Sequence, residues 1–185
     1  MKNNNYVFCL EVLDDALATN QSATSTWLGQ LTQQYAITNV YKACDDIEDF
    51  EASLHTLLHE DKLFKYYNII YFVLEGNGNQ IEINNYYYSF EEVAELFEGK
   101  LQNKIIHFAN TFSLNIDRDL AQYFLDVTGA RGLSGYGSQA PIMSKVIDGV
   151  YFNLCQHHTN PIELVEALFE VRYTLCKSLD FRFYY

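Results

Sequence analysis

The pattern of apolar and polar positions along the chain predicts strands that alternate with helices. Several short runs are almost wholly apolar, which is typical of strands buried on both faces of a parallel sheet. An alternation of period two near the end of the chain indicates a final strand. The predicted strands are residues 6–10, 37–41, 68–74, 104–108, 130–134 and 179–185.

The segments between these strands carry apolar residues at helical spacing, together with signals for helix ends. Ser89 and Glu92 have the spacing of a capping box, Asp117 can start a helix, and Gly129 can end one. Alternating strands and helices predict an α/β fold, a three-layer sandwich with helices on both faces of a mostly parallel sheet of about six strands. The predicted helices are residues 24–35, 47–58, 90–97, 118–128, 142–154 and 161–176.

A small β-hairpin is predicted after the long central strand. Residues 80–83 and 86–88 are strand-like and are separated by Asn84-Asn85, a two-residue turn signal. Before them, residues 76–78 contain two glycines but no lysine and no following helix. A turn is therefore predicted there in preference to a phosphate-binding loop. Because strand side chains alternate, at least one tyrosine of residues 86–88 must face inward.

Composition defines the size and the charge of the domain. The 185 residues are 49% hydrophobic and include two prolines, with no linker rich in glycine, serine or proline. One domain is therefore predicted over residues 1–185. The net charge of −12 opposes binding to nucleic-acid phosphates and to anionic membranes. We expect neither nucleic acid nor a membrane as a partner.

The cysteines and the start of the chain indicate a reducing compartment. The four cysteines lie far apart, without the spacing of a zinc site. The first apolar run is too short for a secretory signal, and no run approaches the ~20 apolar residues of a membrane span. The sequence predicts a cytoplasmic protein with free thiols, and no metal or cofactor is expected. The cysteines are Cys9, Cys44, Cys155 and Cys176.

Three segments that contain glycine or polar residues directly follow predicted strands. They are residues 75–78, 109–113 and 134–137. In an open parallel sheet, ligands and reacting groups collect beyond the carboxyl ends of the strands. We therefore expect the three segments to share one edge of the sheet. The candidate pocket residues are Gly76, Asn77, His107, Asn110, Ser113, Ser134 and Tyr136.

An ordered set of motifs resembles a bacterial group of caspase-like, CHAT-related proteins. The set includes Phe8-Cys9-Leu10-Glu11, Ile105-Ile106-His107-Phe108, Gly129-Ala130-Arg131 and Ser134-Gly135-Tyr136. The resemblance extends over nearly the whole chain and implies the caspase-type α/β sandwich. In such proteins the central strand ends in His-Gly and the next strand ends in Ser-Cys. The cysteine attacks an amide carbonyl while the histidine helps to transfer protons.

Both catalytic positions implied by this resemblance are replaced. The His-Gly position reads Glu75-Gly76, and the nucleophile position falls on Thr111. A hydroxyl is a much weaker nucleophile than a thiol and needs an activating base. A carboxylate at the edge of a sheet is a poor base unless burial raises its pKa. The two replacements together predict the loss of peptidase activity.

Other residues that could carry chemistry also have structural interpretations. His107 lies within a strand and is interpreted as a hydrogen-bonded core or interface histidine, with a shifted catalytic role as the alternative. His157-His158 lacks a third metal ligand at suitable spacing. Asp45-Asp46 fits a helix cap better than a calcium loop. The cysteines fit inert core thiols.

Three functions are compatible with the sequence. The first is a non-catalytic, caspase-like module that binds a protein or peptide, with a homodimer through a sheet edge as one form. The resemblance implies a setting in bacterial stress, defence or cell-death pathways. The second is a hydrolase in which Thr111 or Ser113 is the nucleophile and Glu75 or His107 assists. The third is a sensor of a small ligand, with hydrogen bonds from Asn77, Asn110 and Tyr136.

Overall fold

Six strands form a central sheet within the described part of the chain. A computed structural model describes residues 6–13, 22–109, 114–138 and 141–185, and for Pro141 and Ile142 the backbone alone. The strands are β1 (Tyr6–Val12), β2 (Thr38–Cys44), β3 (Tyr67–Val73), β4 (Glu75–Asn77), β5 (Gln80–Ile83), β6 (Tyr86–Ser89), β7 (Ile105–Ala109), β8 (Gly132–Tyr136) and β9 (Phe181–Tyr184). The order across the central sheet is β2-β1-β3-β7-β8-β9. All neighbours are parallel except β8 and β9, so the predicted mostly parallel α/β fold is confirmed.

Helices cover both faces of this sheet. They are α1 (Ala23–Tyr35), α2 (Ile47–His55), α3 (Phe90–Leu96), α4 (Arg118–Thr128), α5 (Pro141–Leu154) and α6 (Pro161–Ser178). A π-helical turn, Thr56–Glu60, extends α2, and a 3-10 turn, Phe64–Tyr66, precedes β3. Helices α2, α3 and α4 pack on one face, and α1, α5 and α6 pack on the other. This gives the three layers that the sequence predicts.

Local side-chain chemistry determines where the helices begin and end. Ser89 Oγ accepts a hydrogen bond from Glu92 N at 3.2 Å, while Glu92 Oε2 accepts one from Ser89 N at 2.7 Å. The predicted capping box therefore starts α3. Asp117 Oδ1 accepts a hydrogen bond from Leu120 N at 2.8 Å and starts α4. Gly129 ends α4 with φ of +71°, a left-handed conformation that suits glycine.

The predicted hairpin is part of a three-stranded antiparallel sheet. Strands β5 and β6 pair across Asn84 and Asn85, whose φ values of +46° and +65° are those of a type I′ turn. Strand β4 pairs with the other edge of β5. The turn predicted for residues 76–78 is therefore wrong for Gly76 and Asn77, which lie in β4. The chain reverses after them, where Gly78 has φ of +63°.

Two strands begin later than the sequence predicts. Strand β8 begins at Gly132, because Ala130 forms an isolated antiparallel bridge with Gln102 instead of pairing with β7. The Ala130 N–H also donates a hydrogen bond at 3.1 Å to Thr128 Oγ1 at the end of α4. Strand β9 begins at Phe181, because the backbone N–H of Leu179 still donates to carbonyls of α6. In both places the backbone N–H of the first predicted strand residue donates a hydrogen bond to the end of the preceding helix.

Burial agrees with two further predictions. Of the tyrosine run, Tyr88 is buried, whereas Tyr86 and Tyr87 are about half exposed, so one tyrosine of the run faces inward. All four cysteines are buried and none forms a disulfide. Among the described residues, no helix combines the length and the apolar character that a membrane crossing would need.

Candidate functional site

The ends of β3 and β7 are neighbours at one edge of the central sheet. These strands pair in parallel, with Val73 opposite Ala109. The carboxyl ends of β3 and β7 therefore lie side by side at this edge, and one segment of the sequence follows each of them. Glu75 lies in the first segment. In the second, Asn110, Thr111 and Ser113 lie outside the described residues.

Glu75 is an exposed residue of the small antiparallel sheet. It lies opposite Glu82 of β5. A hydrogen bond from the Tyr87 hydroxyl to Glu82, with a smaller contribution from the charge of Glu75, raises the pKa of Tyr87. Two carboxylates and a phenol thus share one exposed face.

His107 of β7 lies at the centre of a buried polar network between the central sheet and α5. Its side chain is 0% exposed, and Nε2 lies 2.8 Å from Asp148 Oδ1. Nδ1 lies 2.8 Å from Ser134 Oγ. A carboxylate only accepts, so Nε2 carries a proton, and in a neutral ring Nδ1 then accepts from the Ser134 hydroxyl. The geometry agrees with the interpretation of His107 as a hydrogen-bonded core histidine.

Asp148 of α5 accepts hydrogen bonds from three strands of the sheet. Tyr71 OH of β3 donates to Oδ2 at 2.9 Å, and Tyr136 OH of β8 donates to Oδ1, which also accepts from His107. Burial, and next the negative charge of Asp148, raise the pKa of Tyr71 and of Tyr136 well above the usual range. Both phenols therefore stay protonated and continue to donate. The carboxylate is fully buried, and these donors replace its hydration.

Ser134 and Tyr151 complete the network. Tyr151 OH donates to Ser134 Oγ at 3.1 Å, and Ser134 Oγ also lies 3.4 Å from the Ile106 carbonyl oxygen. Tyr136 OH has a second acceptor, the Ser144 carbonyl oxygen, at 3.2 Å. Every polar atom named here lies in a buried residue with at least one partner, so the group is a satisfied structural network.

This network contains the residue types of a hydrolytic triad but lacks the geometry for catalysis. In serine hydrolases the histidine contacts the serine through Nε2 and the carboxylate through Nδ1, and here the assignments are reversed. Aromatic rings also enclose the imidazole: Tyr71 stacks on it at 5.6 Å, and Phe152 meets it edge-on at 5.7 Å. No substrate carbonyl can approach Ser134, which is 0% exposed.

A second buried carboxylate, Glu11, lies on the same face of the sheet at the end of β1. Thr24 Oγ1 donates to Glu11 Oε1 at 2.6 Å, and Tyr41 OH donates to Oε2 at 2.6 Å. Burial, and next the hydrogen bond to Glu11, raise the pKa of Tyr41. Burial, followed by the charge of Glu11, raises that of Cys9. A protonated, fully buried thiol is inert, which agrees with the sequence interpretation of Cys9.

The structure divides the candidate pocket into separate groups. His107, Ser134 and Tyr136 belong to the buried network, whereas Gly76 and Asn77 belong to β4. The prediction that residues 134–137 contribute side chains to the same edge as Glu75 is wrong for Ser134 and Tyr136. They point into the layer under α5, where their hydroxyl groups are hydrogen-bonded.

The sequence analysis did not identify Asp148 or Glu11. The signal for Asp148 was an acidic residue on the apolar stripe of α5, at helical spacing from Ser144, Tyr151 and Phe152, all of which are buried. A carboxylate on such a stripe requires buried donors. Glu11 gave a similar signal as the only charged residue of β1. Neither signal indicates which distant residues supply the donors.

One carboxylate cluster on the surface has the geometry to approach a cation. Oxygen atoms of Asp45, Asp46 and Asp49 lie within 4.8 Å of one another. Asp46 caps α2, because its Oδ1 accepts a hydrogen bond from Asp49 N at 2.8 Å, which confirms the predicted cap. The cluster therefore has a structural role at the start of α2.

Residues 4–185 match the model of a protein family that is described as a family of unknown function (DUF6642). No curated protein matches the chain. The match takes in nearly the whole sequence, so it contains both the neighbouring ends of β3 and β7 and the buried network around Asp148.

Proposed function

We propose that this chain, which belongs to the DUF6642 family of unknown function, is a catalytically degenerate caspase-like domain that acts as a protein-interaction or regulatory module. The support from the fold is a central sheet of six strands, mostly parallel, with a small antiparallel sheet inserted after the central strand β3. These are the features that the motif resemblance implies. The four buried, unpaired cysteines support a reducing, cytoplasmic setting for the module.

The observation that carries the proposal is the chemistry at two neighbouring strand ends. The end of β3 continues into Glu75 where a caspase-like peptidase has histidine, and the adjacent strand β7 leads towards Thr111. His107, the histidine within β7, has both ring nitrogens in hydrogen bonds and is 0% exposed. It cannot reach out to replace the missing imidazole without breaking the network around Asp148. In the part of this edge that the structure describes, neither a thiol nor an available imidazole therefore takes the place of the missing catalytic groups.

The first test restores both missing groups. In a Glu75→His, Thr111→Cys protein, an imidazole beside the new thiol favours the thiolate. We expect iodoacetamide to alkylate position 111 about tenfold faster than in Thr111→Cys alone, as expected for a thiol pKa lowered by about one unit. The matched control is Asn77→His with Thr111→Cys, which puts the imidazole two residues along β4. Equal rates in all three proteins would contradict the caspase-like arrangement.

The second test asks whether the natural chain has hydrolytic activity. Purified protein is incubated with a mixture of unmodified peptides, and cleavage is followed by mass spectrometry. We expect no cleavage, and the same result for Thr111→Ala, Ser113→Ala and the exposed control Thr174→Ala. Cleavage that disappears in Thr111→Ala or Ser113→Ala but persists in Thr174→Ala would replace the proposal with the hydrolase alternative.

The small-ligand alternative loses one of its three predicted contacts. The Tyr136 hydroxyl is committed to Asp148 and to the Ser144 carbonyl oxygen, so it does not point to the edge that carries Asn77. The proposal includes a homodimer of the module. The two copies would pair through the outer side of β9, which is the last strand of the described sheet. Sedimentation velocity that shows only monomer at all concentrations would remove that part.

A further inference from the structure

A cleft lies between the outer strand β2 and helix α2 with its π-helical extension. It has a volume of about 480 Å³. Its apolar floor comes from Phe8 of β1, Val40 of β2 and Leu57 of the π-helical turn. Phe8 and Val40 are opposite each other in the parallel register of β1 and β2, so the floor is continuous with the sheet face. We call this feature the β2 cleft.

Carboxylates form the wall of the β2 cleft opposite the strand. Asp49, Glu60 and Asp61 line it. Asp61 is held in place, because its Oδ2 accepts from Tyr67 OH at 2.7 Å and its Oδ1 accepts from Leu63 N at 2.7 Å. These hydrogen bonds fix the position of Asp61 at one end of the wall. They leave further lone pairs of its carboxylate free to accept hydrogen bonds from a ligand.

These carboxylates are not neutralised within the described residues. Asp49 adds its charge to Asp45 and Asp46, and no lysine or arginine nitrogen lies within 4.0 Å of any of the three or of Asp61 in the described part of the chain. Glu60 has only His55, at 3.6 Å, as an ion-pair partner. Burial, and next the charges of Asp49, Asp45 and Asp46, raise the pKa of nearby Cys44 to about 12.

The second part of the site is the backbone of β2 itself. This strand ends the central sheet, and in the described residues no strand pairs with its outer side. It is seven residues long, and its Val40 and Lys42 side chains face the cleft. An edge strand next to a groove is the arrangement used for strand addition, in which the backbone supplies hydrogen bonds and the groove selects alternate side chains.

We infer that the β2 cleft binds an extended, basic segment of a partner protein, which adds to the outer edge of β2 as a further strand. The inference rests on the proposed role of the chain as an interaction module. Alternate side chains of the added strand would face the cleft. An apolar residue would meet Phe8, Val40 and Leu57, and a lysine or arginine would meet the carboxylate wall.

Charge selects this occupant over a second copy of the chain. Each copy carries a net charge of −12, so pairing two β2 edges would bring two carboxylate walls together, as well as two Lys42 side chains. A lysine on an edge strand is itself a feature that discourages pairing between copies. A basic segment from another protein has charges complementary to the three carboxylates of the wall, which outnumber the single cation of the cleft, Lys42.

The test uses three synthetic probes labelled with fluorescein. The first alternates arginine and valine over six residues, the second has glutamate in place of arginine, and the third is the first with alternate backbone nitrogens methylated. N-methylation keeps the charge but removes the donors that pair with a strand edge. Fluorescence anisotropy should show saturable binding of the first probe alone, weakened by added salt as screening requires.

Variants locate the binding on the chain. Asp49→Asn with Glu60→Gln removes two charges from the cleft, and we expect binding to weaken about fivefold or more, which corresponds to two partly screened charge pairs. The matched control is Glu166→Gln with Glu170→Gln, which removes two exposed charges from α6, on the other face of the sheet. That control should bind the probe within about twofold of the natural chain, the effect of surface charges away from the site.

Several outcomes would overturn the inference. Equal binding of the methylated probe would mean that charge alone attracts it, and equal weakening in both double variants would mean that net charge, not the cleft, is responsible. No binding of the arginine probe would also refute it. Thermal stabilisation by calcium chloride that is lost in Asp49→Asn, without probe binding, would assign the acids to a cation instead. Mass spectrometry of the recovered probe shows whether it stays intact, so a failed docking site is distinguished from a failed pseudo-peptidase proposal.

Discussion

The two faces of the central sheet are built from the same strands but differ in chemistry. The face under α2, α3 and α4 is almost wholly apolar, with Phe8, Leu10, Ile70, Phe72 and Phe108 packed against one another and against the helices. Its stability depends on burial and on shape, since these side chains have no hydrogen-bonding groups. The contacts are close, as between Phe72 and Phe108, whose ring centroids are 5.5 Å apart.

The opposite face, under α1, α5 and α6, alternates apolar and polar groups. Tyr71, His107 and Ser134 are neighbours across β3, β7 and β8, and they are joined to Asp148 and Tyr151 of α5. Shifting any one of these strands by a residue would turn its polar group towards the apolar layer. The comparison indicates that the polar face specifies strand register and the position of α5, whereas the apolar face contributes stability through burial and close packing.

The largest effect that separates the two faces is expected for Asp148→Ala. The change removes the carboxylate acceptor of the His107 N–H and of the Tyr71 hydroxyl, and leaves the Tyr136 hydroxyl with the Ser144 carbonyl oxygen. Loss of one member of such a buried charged group typically costs about 3–5 kcal/mol of the free energy of unfolding. Urea unfolding, followed by far-UV circular dichroism, measures the loss.

The control for this prediction is Asp126→Ala in α4. Asp126 is exposed and accepts one hydrogen bond, from Gln122 at 2.9 Å. Its removal should change the free energy of unfolding by about 0.5 kcal/mol or less. A loss below about 1 kcal/mol for Asp148→Ala, similar to that of a single ordinary hydrogen bond, would show that the network does not support the polar face.

A smaller effect is expected for Tyr136→Phe, which removes one of the three donors and keeps the ring. The hydrogen bond to a charged carboxylate is worth about 1.5–3 kcal/mol, and the remaining donors, Tyr71 and His107, still reach Asp148. Calorimetric unfolding should show a loss in that range. Tyr173→Phe on the exposed surface of α6 is the matched control and should be neutral. Equal effects at the two positions would contradict the prediction.

The fold follows from the sequence because its signals are local. The apolar runs have the length of buried strands, and the Ser89–Glu92 capping box and the glycine at position 129 define helix ends within a few residues. The sequence does not predict strand β4, because Glu75, Gly76 and Asn77 have weak strand preference. They form a strand only because β5 offers them a pairing edge, which is a non-local effect.

The candidate site is predicted less well, because its residues meet over long distances in sequence. His107 and Asp148 are separated by 41 positions, and Tyr71 and Asp148 by 77. Motif spacing does not show that these groups meet. The sequence did place Glu75 next to the edge shared by β3 and β7, because parallel strands align their carboxyl ends. It could not show that Ser134 and Tyr136 turn inwards, since strand alternation fixes which residues share a face but not which face is which.

Alkaline pH tests the polar face without mutation. Burial raises the pKa of Tyr71, Tyr136 and Tyr151 well above 10, so the folded chain keeps these protons when the unfolded chain has lost them. Above about pH 10 the unfolded state binds fewer protons, and the free energy of unfolding falls as pH rises. The contribution is complete below pH 10 and is lost above it.

The expected size of this pH effect is about 1.4 kcal/mol per pH unit for each buried tyrosine. Urea unfolding at several alkaline pH values gives the slope. Tyr151→Phe removes one buried phenol and should reduce the slope by about 1.4 kcal/mol per pH unit. Tyr173→Phe, which removes an exposed phenol, should leave the slope unchanged. An identical slope in both variants would mean that Tyr151 ionises in the folded chain as readily as in the unfolded one.

The smallest effect is expected on the apolar face, for Ile70→Val. Ile70 is 0% exposed and packs in the apolar layer, and the loss of one methyl group there typically costs about 0.5–1.5 kcal/mol. Its strand neighbour Tyr71 faces the other layer, so Tyr71→Phe, which removes a single oxygen atom from the network, is the matched change on the polar face. If the two faces differ as argued, Ile70→Val costs less than Tyr71→Phe in the same urea titration. A larger loss of unfolding free energy for Ile70→Val than for Tyr71→Phe would contradict this comparison. It would mean that the fold depends more on packing at the apolar face than on hydrogen bonds at the polar face.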